Sequence, residues 1–257
     1  MQDLNITLVQ TKQFWEDKTA NLSYFEEKLK SIKTGTDIII LPEMFHTSFS
    51  MNAKNLAETM GGIGVKWLTN QASKNQAAII ASLIIKEDGK YYNRMVFVSP
   101  DGRINQYDKR KLFTLANEHK HYSAGKSNTI VKYKGWKILL QICYDLRFPE
   151  LCRNEINQAN QPDYDIVVYV ANWPKKRSTH WSNLLKARAI ENQCYVVGVN
   201  RVGEDANGLD YSGNSMIVDA LGEELVHLVD DEAVISKKIT FQSLKTIREK
   251  LPFLKDK

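Results

Sequence analysis

The 257-residue sequence predicts an α/β fold in which helices are layered against β-sheet. Short β-branched runs alternate with stretches of helical periodicity, which is the pattern of layered α/β proteins. Two runs, at 37–41 (DIIIL) and 165–170 (DIVVYV), are almost entirely apolar, as is typical of strands buried on both faces. The length suits one domain, because single cores stop growing at roughly 250–300 residues. We therefore expect a single domain over 1–257, with helices on one face of its sheet and another sheet or layer on the other.

Eight strands are predicted, because each run is short, rich in β-branched or aromatic residues and bounded by polar positions. Asp88 and Gly89 separate the third and fourth runs and form a hairpin signal. The predicted strands are 4–10, 37–43, 77–85, 91–99, 136–143, 164–172, 194–200 and 213–219.

Four helices are predicted, and the first carries an apolar face close to the helical period, made by Leu22, Phe25, Leu29 and Ile32. In the third, Pro149 falls in the first turn, where the missing N–H of proline costs nothing. The predicted helices are 17–33, 62–75, 149–160 and 179–193.

The composition argues against several functional classes. The net charge is +5 and is spread along the chain, and short basic runs such as 175–177 are not interleaved with aromatics, so we expect no nucleic-acid partner. No apolar run is long enough to span a membrane, and the first residues do not resemble a signal peptide. Three widely spaced cysteines make no disulfide framework, so we expect a cytoplasmic protein without a membrane partner.

The common cofactor and metal signatures are missing. The glycines at 61–64 lack the dinucleotide-binding pattern, the GKS at 125–127 lacks the upstream glycine of a P-loop, and no G-x-S-x-G occurs. His119 and His121 form an H-x-H without an evident third ligand, so a pair of loop histidines is the better interpretation. We expect neither a cofactor nor a metal.

Three extended segments each end in a reactive residue: Glu43, Lys109 and Cys143. Sites in α/β proteins lie at the carboxyl ends of strands, where these three groups are able to converge. An ammonium favours the thiolate that acts as nucleophile and stabilises an oxyanion, and a carboxylate accepts the thiol proton. Each residue by itself is more often a surface charge or, for the cysteine, a core residue.

Three blocks of the sequence resemble the signature blocks of the nitrilase superfamily of carbon–nitrogen hydrolases, in the same order and spacing. They are LPEMF with Glu43, YDKRKLF with Lys109 and CYDLRFPE with Cys143. The resemblance covers essentially the whole chain. It implies a four-layer α-β-β-α sandwich, usually assembled into dimers or larger assemblies, in which a Glu–Lys–Cys triad cleaves C–N bonds without a metal or cofactor.

Segments 107–125 and 170–203 resemble the bacterial ω-amidase branch of this superfamily. That branch hydrolyses the terminal amide of 2-oxo-dicarboxylic acid monoamides, such as 2-oxoglutaramate and 2-oxosuccinamate. The resemblance therefore implies a small-molecule amide substrate, a cysteine thioester intermediate and a homodimer.

One position departs from the family pattern, because many relatives carry histidine where this chain has Lys111. Residues two apart in a strand share a face, so Lys111 competes with Lys109 for the site. Matching Tyr107, Leu112 and Phe113 to the family block favours Lys109.

The resemblance implies a supporting role for Glu118, and the positions of Tyr144 and Arg147 after Cys143 make them candidates as well. Glu118 matches a second glutamate that holds the lysine, and the backbone N–H of Tyr144 is expected to join Lys109 at the oxyanion. Arg147 either binds the carboxylate of the substrate or pairs with an acid such as Glu150.

Two aromatic residues, Trp173 and Phe113, are candidates for the walls of the substrate pocket, with ordinary packing as the alternative for each. The other two cysteines are interpreted as structural thiols, Cys152 on a helix and Cys194 on a strand.

The sequence leaves three alternatives to an ω-amidase: another hydrolase with the same triad, an inactive binding protein and a glutamine-fed synthetase domain. The same triad serves nitrilases, N-carbamoyl amino acid hydrolases and aliphatic amidases, which a substrate panel separates. An inactive binding protein on the same fold is disfavoured, because all three reactive residues are present. A glutamine-fed synthetase domain is also disfavoured, because we expect no attached synthetase.

Overall fold

The computed structural model describes residues 2–256, whose thirteen strands form two β-sheets. The strands are β1 (Leu4–Gln10), β2 (Ile38–Ile40), β3 (Ala78–Glu87), β4 (Lys90–Val98), β5 (Ile104–Asp108), β6 (Thr129–Tyr133), β7 (Trp136–Ile142), β8 (Ile166–Ala171), β9 (Tyr195–Asn200), β10 (Val202–Glu204), β11 (Asp210–Val218), β12 (Glu224–Val229) and β13 (Ala233–Ile239). The helices are α1 (Lys18–Leu29), α2 (Ala53–Leu56), α3 (Ile63–Asn75), α4 (Glu118–His121), α5 (Ser178–Asn192) and α6 (Phe241–Lys250).

The first sheet has the strand order β13-β1-β2-β3-β4-β5, and the second has the order β10-β11-β9-β8-β7-β6, with β12 also paired to β11. The centre of each sheet is parallel, with β1, β2 and β3 in the first and β7, β8 and β9 in the second. β2 and β8 are therefore each flanked by strands that run in the same direction. The residues that follow β2 and β8 lie at the carboxyl end of the parallel strands in each sheet.

Alternating side chains divide the core into layers. In β2, Ile38 and Ile40 belong to a buried cluster that also contains residues of β7 and β8, so this cluster lies between the sheets. Ile39 points the other way, into a cluster with the apolar faces of α1 and α3. A third cluster joins the outer face of the second sheet to Trp181 and Leu185 of α5. The four-layer α-β-β-α sandwich implied by the resemblance is confirmed.

All eight predicted strands are present, with ends that differ by up to three residues. Strands β5, β6, β10, β12 and β13 and helices α2, α4 and α6 were not among the predicted elements. Most of β12 and β13 is partly or fully exposed, so these strands lack the continuous apolar run that marks a buried strand.

The predicted helix over 149–160 is wrong. Pro149–Leu151 form one 3₁₀ turn, and the following residues are irregular. The buried side-chain amide of Asn154 donates to the backbone carbonyls of Tyr164 and Asn192. These hydrogen bonds hold the segment in an irregular conformation that competes with the helix. Cys152 therefore lies at the end of a 3₁₀ turn rather than on a helix.

The remaining structural cysteine, Cys194, is fully buried directly before β9. Within residues 2–256, none of the helices has the length and apolarity needed to cross a bilayer.

Candidate active site

Glu43 lies three residues beyond the end of β2 and is completely buried. Its Oε1 accepts hydrogen bonds from Asn93 Nδ2 (2.7 Å) and Lys109 Nζ (3.1 Å). Its Oε2 accepts one from the backbone N–H of Asn172 (2.8 Å), and the Asn172 side chain donates to the Glu43 carbonyl (2.6 Å). Both side-chain oxygens are thus held by donors from β4, from the loop after β5 and from the end of β8.

Lys109 directly follows β5, and its ammonium is enclosed between two carboxylates. Nζ donates to Glu43 and also to both oxygens of Glu118, each at 3.0 Å. Burial alone would lower the pKa of Lys109, but Glu118 and Glu43 outweigh burial and raise it, so the lysine stays charged. The Phe113 N–H also donates to Glu118 (2.6 Å), which fixes the second carboxylate.

The side chain of Lys111 does not enter this cluster. Its Nζ forms an ion pair with Glu150 (3.2 Å) and lies 4.4 Å from the centre of the Phe148 ring. Lys109, and not Lys111, is therefore the lysine that contacts Glu43 and Glu118. Glu150, the suggested partner of Arg147, is paired with Lys111 instead.

Cys143 directly follows β7 and has a φ of 43°, in the left-handed region that residues other than glycine seldom adopt. This turn leaves the residue partly exposed on the wall of the cavity that Lys109 also lines. Burial and the charge of Glu43 raise the pKa of the thiol, whereas Lys109 lowers it. The resting thiol is therefore protonated at neutral pH, and both charged groups act on it.

The cavity has a volume of about 570 Å³, and its wall contains aromatic and cationic side chains together with two acidic residues, Glu16 and Asp205. Its lining includes all four residues predicted to bind substrate, Phe113, Tyr144, Arg147 and Trp173. The rings of Phe113 and Tyr144 are 5.0 Å apart. Tyr144 lies in the first turn of a 3₁₀ helix, where backbone N–H groups have no intrahelical acceptor.

Two arginines line the same cavity. The guanidinium of Arg147 lies 4.7 Å from the Trp173 ring and donates to His180 Nδ1 (3.1 Å). The guanidinium of Arg177 lies 5.5 Å from the Phe113 ring. Within the part of the chain that the structure describes, neither arginine forms an ion pair with a carboxylate. Their positive charges are therefore available to an anionic ligand.

Sequence reasoning missed Asn93, Asn172 and Arg177. Asn172 closes the predicted strand 164–172, so its place at a carboxyl strand end was a usable signal. Arg177 belongs to the basic run 175–177, which we considered only as evidence on nucleic-acid binding. Asn93 lies inside a strand and gave no signal, because its role depends on which strand lies beside Glu43.

The comparisons with known proteins agree with this fold. The carbon-nitrogen hydrolase family model matches residues 5–249. Omega-amidase YafV of Yersinia enterocolitica is 45% identical over 257 residues, which cover 100% of this chain and 97% of the relative. The 2-oxoglutaramate amidase of Bacillus subtilis is 33% identical and covers 86% of this chain and 84% of the relative.

Among solved structures, XC1258 from Xanthomonas campestris is described as a CN-hydrolase superfamily protein with an arsenic adduct in the active site. It superposes with a TM-score of 0.98 at 42% identity and covers 100% of this chain and 98% of that one. Nit3 of Saccharomyces cerevisiae, a member of the nitrilase superfamily, superposes with a TM-score of 0.84 at 25% identity and covers 98% and 95%. With its two-sheet sandwich and buried Glu–Lys–Glu cluster beside a strand-end cysteine, the chain belongs to the carbon-nitrogen hydrolase family.

Proposed function

We propose that the protein is an ω-amidase that converts 2-oxo-dicarboxylic acid monoamides to the 2-oxo acid and ammonia. The observation that carries the proposal is that Lys109, which contacts Glu43 and Glu118, lines the same cavity as Cys143. The 45% identity to an omega-amidase over the whole chain supports the same substrate class.

In the first half of the reaction, Glu43 accepts the thiol proton while the sulfur of Cys143 attacks the amide carbon and the C–S bond forms. The carbonyl oxygen becomes an oxyanion, which Lys109 and the backbone N–H of Tyr144 stabilise. Glu43 then gives its proton to the amide nitrogen, the C–N bond breaks and ammonia leaves a thioester.

In the second half, a water molecule attacks the thioester carbon and Glu43 accepts its proton. The C–S bond breaks, the sulfur recovers the proton from Glu43, and the product leaves as the 2-oxo-dicarboxylate after its new carboxyl group loses a proton to solvent. Glu118 acts throughout by holding Lys109 through two hydrogen bonds of 3.0 Å.

A 2-oxo acid amide carries a carboxylate, which has to be bound at the end of the substrate away from the amide. Arg147 and Arg177 suit this role, because both line the cavity and neither forms an ion pair with an acid among residues 2–256. Trp173 lies against Arg147, and its indole N–H donates to the carbonyl of Arg177 (2.7 Å), so this ring supports both arginines.

Ammonia release from a substrate panel tests the proposed function. We expect kcat/KM for 2-oxoglutaramate and 2-oxosuccinamate to exceed that for glutamine, an aliphatic nitrile and an N-carbamoyl amino acid by at least about 100-fold, because a site built around polar groups rejects ligands that leave them unpaired. Cys143→Ala should reduce the rate by several orders of magnitude. Near-normal ammonia release by Cys143→Ala would overturn the mechanism.

The carboxylate role is tested by Arg147→Met and Arg177→Met. Each should lower kcat/KM for 2-oxoglutaramate by about 10- to 100-fold, the worth of a charge-assisted hydrogen bond, and leave the slower hydrolysis of butyramide unchanged. The control is Lys176→Met, which removes an exposed neighbouring cation that does not line the cavity. Equal losses on both amides would contradict a role in carboxylate binding.

We also propose that residues 1–257 form a single catalytic domain. The protein is further proposed to be a homodimer and to act in the cytoplasm. All three cysteines are free, which suits a reducing compartment. Ile190 and Leu221 are exposed, and Ile190 lies against Gly222, the residue after Leu221, so we propose that this apolar surface contacts the second copy. Light scattering should give twice the mass of the chain, and Ile190→Glu should give the monomer. A monomeric native protein would contradict the dimer.

A further inference from the structure

Asp145 is a fully buried acid that the proposed mechanism does not use. It lies two residues after Cys143 and does not line the cavity. Its Oδ2 accepts hydrogen bonds from the Tyr107 hydroxyl (2.8 Å) and the Ile142 N–H (3.0 Å). Its Oδ1 accepts one from the Lys111 N–H (2.8 Å). One carboxylate thus receives three donors from two separate segments of the chain.

The positions of these donors relative to the reactive residues are informative. Tyr107 and Lys111 are each two residues away from Lys109, on either side of it. Ile142 directly precedes Cys143. The two segments belong to different sheets, because β5 is the edge strand of the first sheet and β7 lies in the second. Asp145 therefore connects the lysine segment of one sheet to the cysteine turn of the other.

The chemistry of the group explains why an aspartate occupies this position. A carboxylate accepts at both oxygens, whereas an asparagine in the same place would turn an N–H₂ toward at least one donor. Burial raises the pKa of Asp145, whereas the hydrogen bond from Ile142 and the charge of Lys109 lower it. Burial is the larger effect, and the resulting pKa is about 6. At pH 7 and above the group is therefore ionised and accepts all three hydrogen bonds.

We propose that Asp145 is a positioning residue that clamps the Lys109 segment to the Cys143 turn and so fixes the distance between ammonium and sulfur. The inference rests on the proposed function for its turnover measurements. The clamp acts through Lys109 and Cys143, because Asp145 itself reaches neither the cavity nor the substrate.

The test compares Asp145→Asn with Asp165→Asn. Asp165 is a matched control, because it is also buried and accepts from a backbone N–H, that of Lys137, and from Arg248, but it belongs to the opposite end of β8. We expect Asp145→Asn to lower kcat for 2-oxoglutaramate by about 100-fold, the loss that follows from displacing a catalytic group by about 1 Å, with KM changed less than kcat. Asp165→Asn should lower Tm and leave kcat unchanged.

A second variant covers the case in which Asp145→Asn fails to fold. Tyr107→Phe removes one of the three hydrogen bonds without changing a charge. It should lower kcat by about 10-fold, roughly the worth of one hydrogen bond to a charged group. It should also move the alkylation of Cys143 by iodoacetamide to higher pH, because a displaced Lys109 stabilises the thiolate less.

The possible outcomes separate the two proposals. If the native protein hydrolyses no 2-oxo acid amide, the proposed function fails, but the alkylation profile of Tyr107→Phe still tests the clamp. A folded Asp145→Asn with kcat within about 2-fold of the native value would overturn the clamp. An unchanged alkylation profile in Tyr107→Phe, or equal losses of kcat in the two asparagine variants, would overturn it as well.

Discussion

At the scale of single residues, environment distinguishes the three cysteines. Burial raises the pKa of each thiol, so none is a ready thiolate at neutral pH. Only Cys143 lines the cavity, has a left-handed backbone conformation and lies within the influence of both Glu43 and Lys109. A protonated nucleophile beside a carboxylate needs a base at the moment of attack, which is the role we propose for Glu43.

Glu43 raises the pKa of the Cys143 thiol and Lys109 lowers it, so removing either charge should shift this pKa in the opposite direction. Glu43→Gln should move the alkylation of Cys143 by iodoacetamide to lower pH, and Lys109→Met should move it to higher pH, each by about 1–3 pH units. The measurement is the rate of modification of the peptide that contains Cys143, followed by mass spectrometry across pH. Glu150→Gln, which changes an exposed acid, is the control. Shifts of both variants in one direction would refute this account of the site.

At the scale of secondary-structure elements, the end of β5 is aligned by backbone contacts. The Lys109 N–H donates to the Asn93 carbonyl of β4, and the Gly125 N–H donates to the Lys109 carbonyl, both at 2.9 Å. Arg94 forms a bidentate pair with Asp108 (2.7 and 2.9 Å) immediately before the lysine. The path of the chain on both sides of Lys109 is therefore held by neighbouring elements, which limits where its ammonium can lie.

The close approach at Gly125 predicts a loss of activity without any change in a reactive group. A Cβ at this position would lie 2.1 Å from the Asp108 carbonyl oxygen, so Gly125→Ala has to displace backbone next to Lys109. We expect kcat to fall by at least about 10-fold, because small displacements of catalytic groups are costly. Gly61→Ala is the control, since the nearest atom there is 3.8 Å away. Native kcat in a folded Gly125→Ala would contradict this prediction.

At the scale of the whole molecule, the site exists only where the two sheets meet. The first sheet carries Glu43 and Lys109, and the second carries Cys143 and Asn172. Buried Arg201 also crosses between the halves, because its Nη1 donates to Ser48 Oγ at 2.6 Å. Relative movement of the sheets would separate the base from the nucleophile, so folding and catalysis depend on the same interface.

Burial of an acid between the sheets predicts how global stability changes with pH. Because the pKa of Asp145 is about 6 in the folded state and near 3.8 in the unfolded chain, the folded state holds this proton to higher pH. The tighter proton binding of Asp145 in the folded state therefore stabilises the fold fully below about pH 4, and this stabilisation is lost as the pH rises through about 6. The difference in unfolding free energy between the native protein and Asp145→Asn should therefore decrease by about 2 kcal/mol between pH 4.5 and 7. Urea titrations measure it, and a difference independent of pH would contradict the assignment.

Much of this protein follows from its sequence alone. Apolar runs and helical periods predict the α/β class, because burial on one or both faces leaves a periodic pattern in the chain. The same runs place Glu43, Lys109 and Cys143 at or just beyond the ends of extended segments, and the three signature blocks identify the family. These features are local, so they can be read from neighbouring residues.

Only the tertiary structure decided the contacts between distant segments. Lys109 and Glu43 are 66 residues apart, and Asn172 and Glu43 are 129 apart, so no local pattern specifies that they meet. Packing also decides that Lys109 rather than Lys111 contacts Glu43 and that Asp145 receives three donors. The absence of a helix over 149–160 has the same origin, because the packed sheets determine which atoms come within hydrogen-bond distance. Local periodicity determines which face of an element is buried, whereas the partner of each buried polar group is determined by the packing of the whole chain.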